Sequence, residues 1–189
     1  MSKLLFSSIE VTRQVFYRTP LTFAVVNLKP IVPGHVLVVP TRVVQRLADL
    51  KPPELSDLIN TIQHVGKVIE RVYGADSLTI ACQDGKAAGQ TVPHVHFHLL
   101  PRHLHGDRFG ERNDEIYPAL ERAEGQMPEV LISTKRREEG EGLVECSEPI
   151  KMDADEDREP RSMEEMEKEA EWLRGFFADI ERQKERGKA

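Results

Sequence analysis

Val92-Pro93-His94-Val95-His96-Phe97-His98-Leu99-Leu100-Pro101 is the stretch on which the reading of this chain turns. Apolar residues alternate with histidines at the period of two that marks a β-strand, and Pro93 suits a strand's beginning or an edge rather than a central ladder position. Side chains of a strand alternate between faces. His94, His96 and His98 are therefore expected to project one way, and Val95, Phe97 and Leu99 toward the core. Three imidazoles in register carry several polar atoms that a purely packing role would leave costly to satisfy.

Two chemistries use such a row. Imidazole is a common zinc ligand, but same-face neighbours on a flat strand stand about 6.5–7 Å apart, so three of them converge on one ion only if the strand curves or the outer two reach inward. Phosphate chemistry is the other. An eight-residue loop from Asp84 to Thr91 feeds directly into the histidine row. With Gly85, Gly89, Gln90 and Thr91 it offers backbone N–H groups and polar side chains to phosphate oxygens. A neutral imidazole is itself a nucleophile; attack on phosphorus gives a covalent phospho-histidine type intermediate, and a second imidazole can donate to the developing charge. No Walker-type Gly-Lys-Ser/Thr sequence is present.

Upstream, Thr22–Leu28 and Val36–Pro40 are β-rich runs separated by Lys29-Pro30 and the turn signal Val32-Pro33-Gly34-His35, and read as an antiparallel pair. Pro52-Pro53 suits a helix start. Leu55, Leu58, Ile59, Ile62, Val65, Ile69 and Val72 then recur at helical spacing until Gly74, with His64 beside the stripe as an ordinary helix residue. Ser77–Gln83 is a further strand. Ser162-Met163-Glu164-Glu165 has the form of a capping box, and Met166, Ala170, Leu173, Phe177 and Ile180 lie along one helical face, widened by Trp172 and Phe176.

Charge divides the 189 residues unevenly: the net charge is −6, but residues 1–117 balance to +2 and residues 118–189 to −8, while all seven histidines fall in the first part. This predicts three regions: a catalytic domain over 1–118, an acidic, disordered insertion over 119–160, and a C-terminal helix over 161–185 that docks back. The insertion is a solvated segment or a site for a protein partner. The acidic balance argues against a nucleic-acid surface, and no apolar run approaches a membrane span. Cys82 and Cys146, far apart, argue against a disulfide or cysteine-zinc framework. With Met1–Phe6 lacking a long apolar stretch, the expected location is the cytoplasm, with the nucleus as a second.

The histidine stretch resembles the signature of the histidine triad superfamily. Phe23–Pro30, Val32–Val38, Gln83-Asp84-Gly85, Ala88–Val92, Arg112–Tyr117 and Arg161–Met166 are similar to its fragile-histidine-triad branch, whose members hydrolyse dinucleoside polyphosphates. The resemblance implies an α+β histidine-triad fold, with an antiparallel sheet, a crossing amphipathic helix and a C-terminal helix, and two subunits sharing the sheet. It implies cleavage of diadenosine triphosphate to AMP and ADP. His96 would attack the α-phosphorus, His98 would hydrogen-bond phosphate oxygens, and His94 and His35 would orient the site. Asn27 would bind ribose, and Gln83 with Gly89, Gln90, Thr91 and Val92 would hold phosphates. A divalent cation, Mg or Mn, would come with the polyphosphate rather than occupy a fixed protein site.

Three of these positions also have a plainer explanation: turn formation for Asn27, an ordinary strand-end polar residue for Gln83, β-preference for Thr91. The sequence departs from the branch at Ser8, near where a substrate-contacting histidine is common, and at Pro160, where an aromatic is usual. A phosphoramidase of the sister branch and a nucleotide-binding signalling module are the alternative readings.

Overall fold

A computed structural model describes residues 3–125 and 161–186. The chain opens with a small hairpin, β1 (Leu5–Phe6) and β2 (Ile9–Glu10), which the sequence pattern did not announce. Five further strands follow: β3 (Val15–Arg18), β4 (Thr22–Val26), β5 (Val36–Pro40), β6 (Ser77–Ala81) and β7 (Phe97–Arg102). They form one antiparallel sheet in the order β3-β4-β5-β7-β6. The expected β4–β5 pair is present in full register, from Thr22 opposite Pro40 to Val26 opposite Val36.

Helix α1 (Pro52–Tyr73) crosses from β5 to the far edge strand β6. Pro52 and Pro53 occupy its first positions, where a missing N–H costs nothing. The Glu54 carboxylate accepts the Lys51 N–H at 2.8 Å and is gripped by Arg42. Gly74 ends the helix in the left-handed conformation, φ +63°, the usual use of glycine at this position. Leu58, Ile62, Val65 and Ile69 are buried as the spacing predicts, joined by Val68. Leu55 and Ile59 correct the expected stripe, since both are exposed, at 41% and 49%; at about 100° per residue they lie roughly 60° and 100° round the helix from Leu58, at one margin of the arc that the sheet covers.

The expected histidine strand also needs correction. The ladder begins only at Phe97, and residues 92–96 are not paired in the sheet. The reason is local. Pro93 has no N–H to donate, the His94 N–H turns back onto the Val92 carbonyl at 2.8 Å, and the Val95 N–H goes to Val44. The alternation nevertheless survives. Val95, Phe97 and Leu99 pack with Ala24, Val26, Val36 and Val38 under α1. His98 stands in the opposite-facing row, Val15–Val25–Leu37–His98–Ala81, set by the cross-strand register.

That second face is covered in two parts. The N-terminal hairpin closes over Phe23, Val25, Leu37 and Val39. Helix α2 (Ile116–Gly125) closes over Ile31, Val32 and Leu100. Helix α2 carries the folded body past residue 118, correcting the expected domain boundary: Ala119 and Leu120 are buried. The rest of the proposed insertion, 126–160, lies outside the described residues, as does Pro160.

Helix α3 (Met163–Arg186) begins with the capping box read from sequence: the Glu165 N–H donates to Ser162 Oγ, and the Ser162 N–H to the Glu165 carboxylate. Met166, Ala170, Leu173 and Phe177 are buried against the α1 side of the sheet, whereas Trp172 is 46% exposed. The side chain of Ile180 lies outside the described residues. Arg174 donates to the carbonyls of Val15 and Arg13, so α3 covers the β3 edge, and among the described residues β6 is the other edge of the sheet, with no strand beyond it.

Candidate active site

The site forms where β7 meets the segment before it, on the face away from α1. His94, His96, His98 and His35 are all essentially buried, at 0–1% exposure. At this burial every ring nitrogen needs a partner, and the partners fix the tautomers. His94 Nδ1 accepts the Ser7 N–H at 3.0 Å, so its Nε2–H is the donor to the Pro40 carbonyl, also at 3.0 Å. Phe6 stacks on the same ring at 5.8 Å between centroids and meets His96 edge-on at 5.2 Å. Burial pushes the His94 imidazole down to about 4, against the opposing effect of the Pro40 carbonyl. His94 is thus a neutral structural histidine at physiological pH.

His96 places Nδ1 2.7 Å from the carbonyl oxygen of His94. A carbonyl only accepts, so Nδ1 carries the proton and the basic lone pair sits on Nε2. The His98 ring is 5.0 Å away, nearly perpendicular.

A third chain of contacts sets His98. The Ile31 N–H reaches His35 Nδ1 at 3.4 Å, and the Asn27 amide nitrogen lies 3.1 Å from both ring nitrogens of His35. With Nδ1 accepting, His35 Nε2–H donates to His98 Nδ1 at 2.9 Å. His98 therefore holds its proton on Nε2. On this assignment the lone pair of one imidazole and the N–H of its neighbour both lie on Nε2, side by side.

The glycine loop is built around Gln90. Its side-chain oxygen accepts the Gly85 N–H at 3.1 Å, and its amide donates to the Gln45 carbonyl at 3.0 Å and to His94 at 3.4 Å. The Gln90 side chain is thus a brace inside the loop. Gly89 has φ +88°, and a Cβ there would fall 2.6 Å from Gln83 Nε2, so the Gln83 amide lies directly on a position only glycine leaves open. Gln83 Oε1 is buried without a hydrogen-bond partner among the described residues. As placed, it is an acceptor suited to a hydroxyl or water. Thr91 is half-buried and Val92 belongs to the core beneath the hairpin.

Among the described residues no group of three or more His, Cys, Asp or Glu side chains is placed to hold a metal ion. Four of the six ring nitrogens in the row are turned to protein groups: both of His94 to Ser7 and Pro40, His96 Nδ1 to the His94 carbonyl, and His98 Nδ1 to His35.

The HIT domain description matches residues 8–105, more than half of the chain. The chain belongs to the histidine triad (HIT) family. This histidine triad protein is 49% identical over 183 residues to the asymmetrical bis(5'-nucleosyl)-tetraphosphatase of Schizosaccharomyces pombe, covering 97% of this chain and 98% of that one. It is 47% identical over 165 residues to the bifunctional bis(5'-adenosyl)-triphosphatase/adenylylsulfatase of Arabidopsis thaliana, covering 87% and 78%. Among solved structures it is similar to the C. elegans NitFhit protein, with a TM-score of 0.62 and 34% identity over 92% of this chain, which spans only 30% of that longer one. The Plasmodium falciparum diadenosine triphosphate hydrolase gives a TM-score of 0.54 and 32% identity over 64% of this chain and 83% of that one.

The histidine triad fold implied by the resemblance is therefore the fold found. Of the positions singled out in the sequence, Asn27, His35, His94, His96 and His98 are joined by hydrogen bonds or ring contacts, and Gln83, Gly89 and Gln90 shape the adjoining loop. Phe6 and Ser7 escaped the sequence reading. Phe6 carries only the weak signal of an aromatic near the N-terminus. Ser7, with φ +55°, carries none, because it acts through its backbone N–H.

Proposed function

We propose that this histidine triad protein hydrolyses dinucleoside polyphosphates, cleaving diadenosine triphosphate to AMP and ADP. The observation that carries the reading is the 2.7 Å hydrogen bond from His96 Nδ1–H to the His94 carbonyl. It aims a basic Nε2 from a neutral ring, and the same carbonyl can stabilise the positive charge that the ring acquires on attacking phosphorus. His96 Nε2 takes the α-phosphorus, the bridging P–O bond breaks, and ADP leaves. His98 Nε2–H donates to the phosphate oxygens as charge builds. Asn27 and His35 hold His98, His94 supplies the carbonyl, and the loop of Gln83, Gly89, Gln90, Thr91 and Val92 receives the polyphosphate. Water then releases AMP from His96. The cation, Mg or Mn, enters with the substrate.

The names of the relatives support the hydrolase class and differ over phosphate number. The S. pombe relative favours a second reading in which a tetraphosphate is the better substrate. Incubation of the purified protein with diadenosine triphosphate and, separately, tetraphosphate, followed by chromatography of the products, tests both. AMP with ADP is expected from the triphosphate. Products lacking AMP, or preferential cleavage of an AMP-lysine amide, would overturn the assignment.

A homodimer belongs to the same proposal. It is supported by β6, an edge of the sheet that no strand among the described residues covers and where Ile80 is 50% exposed; such an edge invites strand pairing. Light scattering on the purified protein decides it. Location in the cytoplasm, with the nucleus as a second, remains part of this reading; among the described residues no helix is long and apolar enough to cross a membrane.

A further inference from the structure

Behind the histidines lies a closed circuit of contacts that joins α1, α3 and the β4–β5 connection. The Tyr73 hydroxyl, on the last residue of α1, donates to Glu169 at 2.7 Å. Glu169 pairs with the Arg161 guanidinium. Arg161 donates from its other terminal nitrogen to the Asn27 carbonyl at 2.6 Å, and its own N–H goes to the Leu28 carbonyl at 3.1 Å. The Asn27 side chain meets His35. The circuit closes because the ring of Tyr73 lies against Gly34, the residue before His35: a Cβ at Gly34 would stand 2.6 Å from Tyr73 Cδ2.

Three features set this apart from ordinary packing of a C-terminal helix. The pair is buried, with side-chain exposures of 12% for Arg161 and 9% for Glu169. A buried ion pair contributes little net stability over apolar residues of similar volume. Arg161 Nε is also buried without a hydrogen-bond partner among the described residues, a desolvation cost that an apolar residue would avoid. Finally, the two acceptors of Arg161 lie on different elements, α3 and the end of β4, which a rigid guanidinium fork bridges and a lysine ammonium does not. Burial beside Glu169 raises the Tyr73 phenol well above its ordinary value, so it stays a donor.

We propose that Arg161, held by Glu169 and Tyr73, is a positioning residue that sets the Asn27–His35 pair and through it the tautomer of His98. The proposal rests on the hydrolase reading only for its catalytic consequence. Arg161 touches neither substrate nor reacting atoms; it acts by fixing where the Asn27 backbone stands, so that the amide and His35 reach hydrogen-bond geometry with the next ring. The C-terminal helix is on this account part of the site's construction, supplied from the other end of the sequence.

The test compares Arg161→Met, Arg161→Lys and Tyr73→Phe with Phe177→Ala, which loosens the docking of α3 without touching the circuit. Turnover of diadenosine triphosphate is measured well below each melting temperature, and the imidazole nitrogens are read by long-range ¹H–¹⁵N correlation. Arg161→Met is expected to lower kcat about 10- to 100-fold, the scale of a misplaced catalytic group, and to replace the single Nε2–H pattern of His98 by a mixture. Arg161→Lys and Tyr73→Phe should fall between it and the wild type, and they carry the test should Arg161→Met not fold. Phe177→Ala should lose thermal stability with kcat and the imidazole pattern intact. Wild-type kcat and imidazole signals in Arg161→Met would overturn the proposal, and so would equal changes in Phe177→Ala. If the wild type itself fails to turn over this substrate, the hydrolase reading falls, and the imidazole spectra still decide the positioning role.

Discussion

The Nδ1–H of His96 is anchored on the carbonyl oxygen of His94, two residues earlier in the same strand-like segment, at 2.7 Å. This one bond decides which nitrogen of His96 is basic, and it exists because residues 94–96 leave the sheet ladder. A carbonyl engaged in β-pairing points sideways to the neighbouring strand; here it is released to the ring above it.

Removing that ring should stop the reaction and spare binding. His96→Asn is expected to lower kcat by about 10⁴-fold or more, the scale seen when a nucleophile is deleted, with the affinity for AMP retained. Steady-state kinetics and calorimetry on the same preparation check this. Substantial turnover by a pure sample would remove His96 from the role of nucleophile.

Asn27→Asp should reverse the proton relay while leaving its shape intact. A carboxylate in place of the amide donor accepts, so the His35 nitrogen it meets must carry a proton; taken at Nδ1, this leaves Nε2 as acceptor and puts the proton of His98 onto Nδ1. The N–H that faces the phosphate is then lost. A drop in kcat of about 10²- to 10⁴-fold is expected from a wrong tautomer, with the imidazole ¹⁵N shifts of His35 and His98 exchanging their pattern.

Acid stability should follow His94. Unfolded, this residue titrates near ~6.5; folded, burial holds it at about 4. Between those values the unfolded chain takes up a proton that the native ring refuses. Its contribution is therefore fully present above about pH 6.5, declines as pH falls, and is gone below about 4, a change on the order of 3 kcal/mol. Phe6→Ala opens the ring to water, so its titration should move back toward the ordinary value. Urea midpoints between pH 4 and 7, with an NMR titration of His94, test both statements.

Gly34→Ala should weaken fold and site together. Gly34 has φ +76° and no room for a Cβ against Tyr73. The left-handed conformation alone costs a residue with a Cβ about 1–2 kcal/mol, and the displaced Tyr73 ring adds to it. A lowered melting temperature with a lowered kcat is expected, since His35 is the next residue. Unchanged kcat at full occupancy of the folded state would separate the turn from the site.

Much of this molecule is written locally. The alternation of His94, His96 and His98 with Val95, Phe97 and Leu99 puts imidazoles and apolar groups on opposite sides whether or not the backbone is paired, because a side-chain period of two needs only an extended chain. The capping box at Ser162 and the buried faces of α1 and α3 were legible for the same reason: their signals lie within one or two turns of sequence. Leu55 and Ile59 show the limit of that reading, since periodicity gives a face but not the arc of it that a sheet will cover.

What only the tertiary structure decided is which partner each polar atom finds. Ser7 reaches His94 across 87 positions, His35 reaches His98 across 63, and Arg161 reaches Asn27 across 134. The residue types with which an imidazole can do phosphate chemistry were readable from the sequence alone. The tautomers that leave a lone pair on Nε2 of one ring and a proton on Nε2 of the next were not, because they depend on backbone N–H and carbonyl groups that every residue carries and that burial alone makes selective.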